Sequence, residues 1–202
     1  MEHYTALSPY LKRRFGCKVY KLSLSAGCTC PNRDGTLGAR GCIFCSGSGE
    51  FAASGSASIP EQLEQAKYIL GKKAQGAKFI AYFQDFTNTY GAVSRLEPLF
   101  LAAIEAGDVV APSIATRPDC LPEDILRMLS RLRARKPVFV ELGLQTIHDN
   151  TAQYIRRGYP LSVFDDAVQK LHALDIEVIA HQILGLPGET AEMIVETTRH
   201  LG

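Results

Sequence analysis

Apolar positions along this chain recur with two periods that take turns. Between Lys18 and Ser25, Val19, Leu22 and Leu24 are apolar with Tyr20 among them, which predicts a first strand. Ser58-Ile59-Pro60-Glu61 is a capping-box signature. It opens a helix through about Gln75, with Leu63, Ala66 and Leu70 as its apolar stripe and Gly76 as its stop. Phe79–Phe83 is a second strand with a polar outlet at Asp85–Tyr90. Leu96, Phe100 and Ala103 share one side of a helix over Val93–Ala106, ended by Gly107. A third strand, Val109–Ala115, is expected to be broken by Pro112. A helix over Pro122–Lys136 and a fourth strand over Val138–Leu144 follow. Ser162-Val163-Phe164-Asp165 reads as the cap of a helix to about Leu174. Ile176–Leu184 is the fifth strand, and Thr190 caps a helix to Leu201. Met1–Gly16, basic at Lys12, Arg13 and Arg14, reads as a short helix on the rim.

Strands alternating with helices of this length predict right-handed βαβ units on a parallel sheet, an α/β fold. Five units do not close an eight-stranded barrel. A strand left at an open edge needs covering.

Composition narrows the class. The chain has 202 residues, 46% hydrophobic and 21% charged, with a net charge of +1. That fits one soluble domain over 1–202 with a sizeable core. Near-neutral charge gives no general reason to expect DNA or membrane binding. With no long apolar run and no signal-peptide pattern, a cytoplasmic location is expected. Ser46–Ser58, rich in Gly, Ser and Ala, reads as a loop.

The cysteines change the picture most. Four of the six lie between Cys28 and Cys45. Cys42 and Cys45 have the spacing that closes two thiolates on one metal centre, and Gly35, Gly38 and Gly41 let the chain fold back so that Cys30 joins them. Three soft thiolates without a nearby His favour an iron–sulfur cluster or zinc. With Cys28 as a fourth ligand the same stretch would satisfy a structural zinc site, a non-catalytic binding module. Cys17 and Cys120 read as small buried hydrophobes.

Cys30-Pro31-Asn32-Arg33-Asp34-Gly35-Thr36 followed by Gly41-Cys42-Ile43-Phe44-Cys45 resembles a subfamily of radical S-adenosylmethionine proteins with a long first cysteine gap. The resemblance continues at Tyr82–Tyr90, Thr116–Cys120, Glu141–Thr146 and Ile183–Thr190. It implies a partial parallel (β/α) barrel of six strands, the sixth not found in this sequence, and so a core that continues past Gly202. It implies a [4Fe–4S] cluster on Cys30, Cys42 and Cys45, with Phe44 shielding its edge. The fourth iron would chelate S-adenosylmethionine. Reductive cleavage would then give methionine and a 5′-deoxyadenosyl radical that abstracts a substrate hydrogen, a chemistry carried by the cofactor. A reductant such as flavodoxin or ferredoxin follows; the substrate, a small molecule or RNA, does not.

The strand ends should meet that cofactor. Where the superfamily carries Gly-Gly-Glu for the methionine amino group, this chain has Gln84-Asp85-Phe86, so Gln84 to Asn88 are candidates. On the fourth strand Phe139, Glu141, Gly143 and Gln145 share one face, which places Glu141 and Gln145 inside the barrel. By resemblance this strand contacts ribose; a salt bridge from Glu141 to Arg117 or Arg157 is the structural alternative. Arg117 suits a carboxylate bidentately, or a structural ion pair. His181 is either substrate-facing or an interior hydrogen-bonded histidine, and Gly185 allows close approach of adenine. Arg127, Arg131 and Arg135 form one helix stripe, either a solvated outer face or a contact for the phosphates of RNA.

Overall fold

The computed structural model describes residues 4–45 and 57–202. Five parallel strands, β1 (Val19–Leu24), β2 (Lys78–Phe83), β3 (Val109–Thr116), β4 (Phe139–Gln145) and β5 (Glu177–Gln182), pair in sequence order. Among the described residues seven α-helices accompany them: α1 (Leu7–Phe15), α2 (Ile59–Leu70), α3 (Val93–Glu105), α4 (Glu123–Arg133), α5 (Asp149–Tyr154), α6 (Leu161–Ala173) and α7 (Ala191–His200). Sequential order with all-parallel pairing is the topology of a (β/α) barrel wall, as expected. The Ser46–Ser58 loop expectation lies outside the described residues except at its last two positions.

The two faces of the sheet carry different chemistry. Leu22, Leu24, Ala81, Phe83, Ile114, Val140 and Leu142 point outward and pack under the helices in the main core. Phe83 and Phe100 meet edge to face, with ring centroids 4.8 Å apart. The inward face begins with a second apolar cluster of Val19, Ile80, Ala111 and Phe139, sealed by Leu11 of α1. α1 therefore plugs the N-terminal end of the barrel rather than lying on its rim. Glu177 on β5 ties it there, accepting from Tyr10 and Arg14.

Local differences have local causes. Pro112 does not break β3; it pairs with Ala81 inside a continuous strand. The β2–β3 ladder shifts register between Phe79 and Ile80, and pairing of β3 with β4 begins at Ser113, just after this residue that has no N–H to donate. Ser162 does not cap α6. The helix starts at Leu161 after Pro160, whose fixed φ suits entry to a helix. The Ser58 capping box and the Thr190 cap are both formed. α5 is unannounced in the sequence, since six residues carry too little periodicity to register. β5 ends at Gln182, and Ile183 closes its ladder with β4 by donating its N–H to the Gln145 carbonyl.

Candidate functional site

The cysteine loop leaves the C-terminal end of β1 and folds against the outlets of β2 and β4. Thr87 donates its backbone N–H to Thr29, Thr36 and Tyr90 share a hydrogen bond of 2.9 Å between hydroxyls, and Ile43 donates to the Ile155 carbonyl. Asn32 is the pivot. Its side-chain amide donates to the Arg156 carbonyl at 2.6 Å and to the Cys42 sulfur at 3.3 Å, while its backbone carbonyl accepts from the Gly41 N–H. Gly41 sits at φ +67, where a Cβ would press on the Arg33 guanidinium, so glycine is required for this turn. Nothing in the sequence alone singled out Asn32; its place between Pro31 and the cysteines was the available signal.

All six cysteines are free thiols. Cys30, Cys42 and Cys45 form one electrostatic group. Burial pushes the Cys42 thiol up, the Asn32 amide and the Arg117 charge oppose this, and Cys30 and Cys45 add to the rise. Cys28 is turned away. It is buried in the main core, where Arg95 donates to its sulfur at 3.0 Å. Among the described residues, no three His, Cys, Asp or Glu stand close enough to hold a single ion. A cubane cluster attaches each cysteine to a different iron, so its ligands stand wider apart than those of one zinc ion. Three grouped thiols, a neighbouring amide donor and a buried guanidinium fit that cluster; the engagement of Cys28 elsewhere does not fit four-thiolate zinc. Phe44 is exposed beside Cys45.

Arg117, at the end of β3, is the guanidinium. It grips Asp119 through two bonds of 2.9 and 2.7 Å, donates to the Arg157 carbonyl at 3.0 Å, and lies 4.9 Å above the Tyr159 ring centre. Burial disfavours its charge, but Asp119 outweighs that, and its pKa ends above the ordinary value. Arg157 is 1% exposed and donates to the carbonyls of Leu144, Thr146 and Tyr159. It therefore pins the segment after β4 and has no part in binding Glu141.

Glu141 takes its partners from other strands, and neither arginine of the structural alternative, Arg117 or Arg157, pairs with it. Lys21 of β1 donates to Oε1 at 2.5 Å, Ser113 of β3 donates to the same oxygen, and His181 of β5 lies 2.7 Å from Oε2. Burial and the nearby Glu141 charge push the Tyr82 hydroxyl of β2 above its ordinary pKa. Burial works against this carboxylate, but the bonds from His181, Lys21 and Ser113 outweigh it and hold its carboxyl down to about 2. A carboxylate offers about four lone-pair sites, so ribose hydroxyls would compete with donors already in place.

The remaining candidates divide. Asn88 is fully buried and spends its amide on the carbonyls of Phe83 and Ala115, clamping the β2 outlet to β3. Gln145, at φ +62, accepts from Tyr159 at 3.3 Å and is buried inside the mouth. Gln84 is half-buried at the end of β2. Gly185, at φ +80, has open space where a Cβ would go. His181 is exposed and reaches Glu141 from the open side. The arginine stripe is neutralised: Arg127 pairs with Glu123 at 3.5 Å, Arg131 with Glu97 at 2.7 Å and Arg135 with Glu105 at 3.4 Å.

No helix among the described residues is long and apolar enough to cross a membrane. The YtqA protein of Bacillus subtilis is 43% identical over 200 residues, covering 98% of this chain and 62% of YtqA. The chain thus spans about three fifths of the length of this relative. Among solved structures, Elp3 from the archaeon Methanocaldococcus infernus superposes with a TM-score of 0.65 at 18% identity, over 90% of this chain and 42% of that one. The cobalamin-dependent S-adenosylmethionine radical enzyme OxsB does so with a TM-score of 0.53 at 15% identity, over 89% of this chain and 26% of its own. At these identities both show a shared fold. The family model described as Radical SAM superfamily matches residues 32–201, and with the site just described the conclusion is that this chain belongs to the radical S-adenosylmethionine superfamily.

Proposed function

We propose that this chain is the core of an enzyme that cleaves S-adenosylmethionine reductively and uses the resulting radical on a substrate of its own. Cys30, Cys42 and Cys45 would hold a [4Fe–4S] cluster. When bound, the cluster and S-adenosylmethionine supply the electron transfer and the carbon radical. The chain's own residues arrange the rest. Asn32 orients Cys42 and closes the loop on Arg156. Arg117, kept charged by Asp119, places a fixed positive charge near Cys30 and Cys42, which favours anionic sulfur and carboxylate groups at that end of the mouth. Gln84 follows β2, Gln145 closes β4 and Gly185 follows β5, and a nucleoside would lie against these strand ends.

The observation that carries this reading is the separation of Cys28 from its three neighbours: three thiols share the strand-end face, and the fourth is committed to the core. A reading as an RNA-modifying member of the superfamily gains nothing from the arginine stripe, whose charges are already paired.

Anaerobic reconstitution with iron and sulfide tests the proposal. A brown protein holding about four irons and four sulfides, which forms 5′-deoxyadenosine from S-adenosylmethionine with dithionite, is expected. Cys42→Ala should lose both colour and product. Colourless protein with stoichiometric zinc, or an active Cys42→Ala variant, would overturn it.

A further inference from the structure

Each of the five strands sends one polar side chain into a single cluster on the inward face: Lys21, Tyr82, Ser113, Glu141 and His181. Below this layer the lumen is apolar and plugged by α1. The layer is therefore the floor of whatever space lies beneath the cysteine mouth. We infer that His181, held by Glu141, is the proton acceptor this barrel presents to a protic group of its substrate, a hydroxyl or an amine N–H. The inference rests on the radical S-adenosylmethionine reading, because it takes the lumen as the reaction chamber.

The geometry fixes the orientation of the ring. An ionised carboxylate can only accept, so the 2.7 Å contact requires the proton on Nε2. In the neutral ring Nδ1 then carries the lone pair. Among the described residues nothing else bonds to this ring, and its side chain is 48% exposed, while that of Glu141 is 1% exposed. One end of the pair is locked in the wall and the other is open. This is the arrangement in which a carboxylate holds an imidazole in one tautomer and stabilises the cation formed when it takes a proton.

Charge decides the ligand class. Lys21 and Glu141 cancel, so a neutral His181 offers a lone pair and no net positive field. That favours a proton donor over a phosphate or carboxylate. In the step itself Nδ1 bonds the proton, the substrate O–H or N–H bond breaks, and the electron pair stays on the oxygen or nitrogen. No oxidant or reductant is needed. Here Glu141 is a positioning residue.

The test uses the reconstituted full-length enzyme. Iron content and 5′-deoxyadenosine formed without added substrate report the underlying cofactor reading. The extra 5′-deoxyadenosine formed when a small-molecule extract is added reports coupling to substrate. His181→Gln should leave iron and the uncoupled product within about twofold, and reduce the coupled product on the order of 100-fold, the scale of general acid–base catalysis. An independent readout is the imidazole 15N spectrum, with His181 assigned by its loss in His181→Gln. A protonated Nε2 and an unprotonated Nδ1 are expected, and Glu141→Gln should shift the tautomer balance. Retained coupling in His181→Gln, loss of iron along with coupling, or a proton on Nδ1 in the wild type would each overturn the assignment. A wild type that makes no 5′-deoxyadenosine would sink the cofactor reading instead, leaving the tautomer result to be judged separately.

Discussion

At the scale of single residues, Glu141 shows how a costly group is kept in a barrel wall. Leaving a buried carboxylate unpaired is expensive, and three other strands supply the donors that prevent it. Its folded pKa is depressed, so its stabilisation is complete above the ordinary value of 4.5 and is lost as the pH falls from there to about 2. Glu141→Gln strands Lys21 without a counter-charge and should cost about 3 kcal/mol at neutral pH. Urea unfolding at pH 7 and near pH 3 checks this: the gap between variant and wild type should narrow at the lower pH. An equal gap at both would mean that the charge is not what Glu141 contributes. The sequence showed that Glu141 faces inward, because strand alternation fixes that. It did not show the partner, because Lys21 and His181 lie on other strands and meet Glu141 only once the sheet curves.

At the scale of elements, caps separate what a motif says from what a helix uses. Ser58 accepts from Glu61, and the Glu61 carboxylate accepts from the Ser58 backbone N–H at 2.8 Å. Ser58→Ala should therefore cost about 1 kcal/mol and lower the melting temperature by roughly 2–4 °C. Ser162→Ala should leave melting nearly unchanged, since Ser162 stands inside the first turn of α6 and caps nothing. Thermal melts of the two variants decide the point; equal losses would contradict it. Both serines sit three residues before an acid, so sequence could not separate them. Pro160 separates them in the fold by starting α6 before Ser162 can act as its cap. The strands were legible for the opposite reason: their apolar faces are continuous, and Pro112 pairs with Ala81 without interrupting β3.

At the scale of the whole molecule, the chain is a parallel barrel wall with an apolar plug at its N-terminal end, a charged layer above the plug and a cysteine loop across the strand ends. The order of strands and the site's position followed from βα alternation and cysteine spacing. The division of labour among cysteines did not, because Cys28 and Cys30 differ by two positions in sequence and are separated by the core boundary only in space. The account turns on three sulfurs leaving one iron free. The most direct test is electron–nuclear double resonance on the reduced, iron-loaded protein with S-adenosylmethionine carrying 15N in its amino group. The account predicts a 15N coupling to the cluster that is absent with unlabelled cofactor and absent in Cys42→Ala. An iron-loaded cluster whose fourth position is occupied by a nitrogen, oxygen or sulfur atom of the protein, with no coupling from the label, would contradict it.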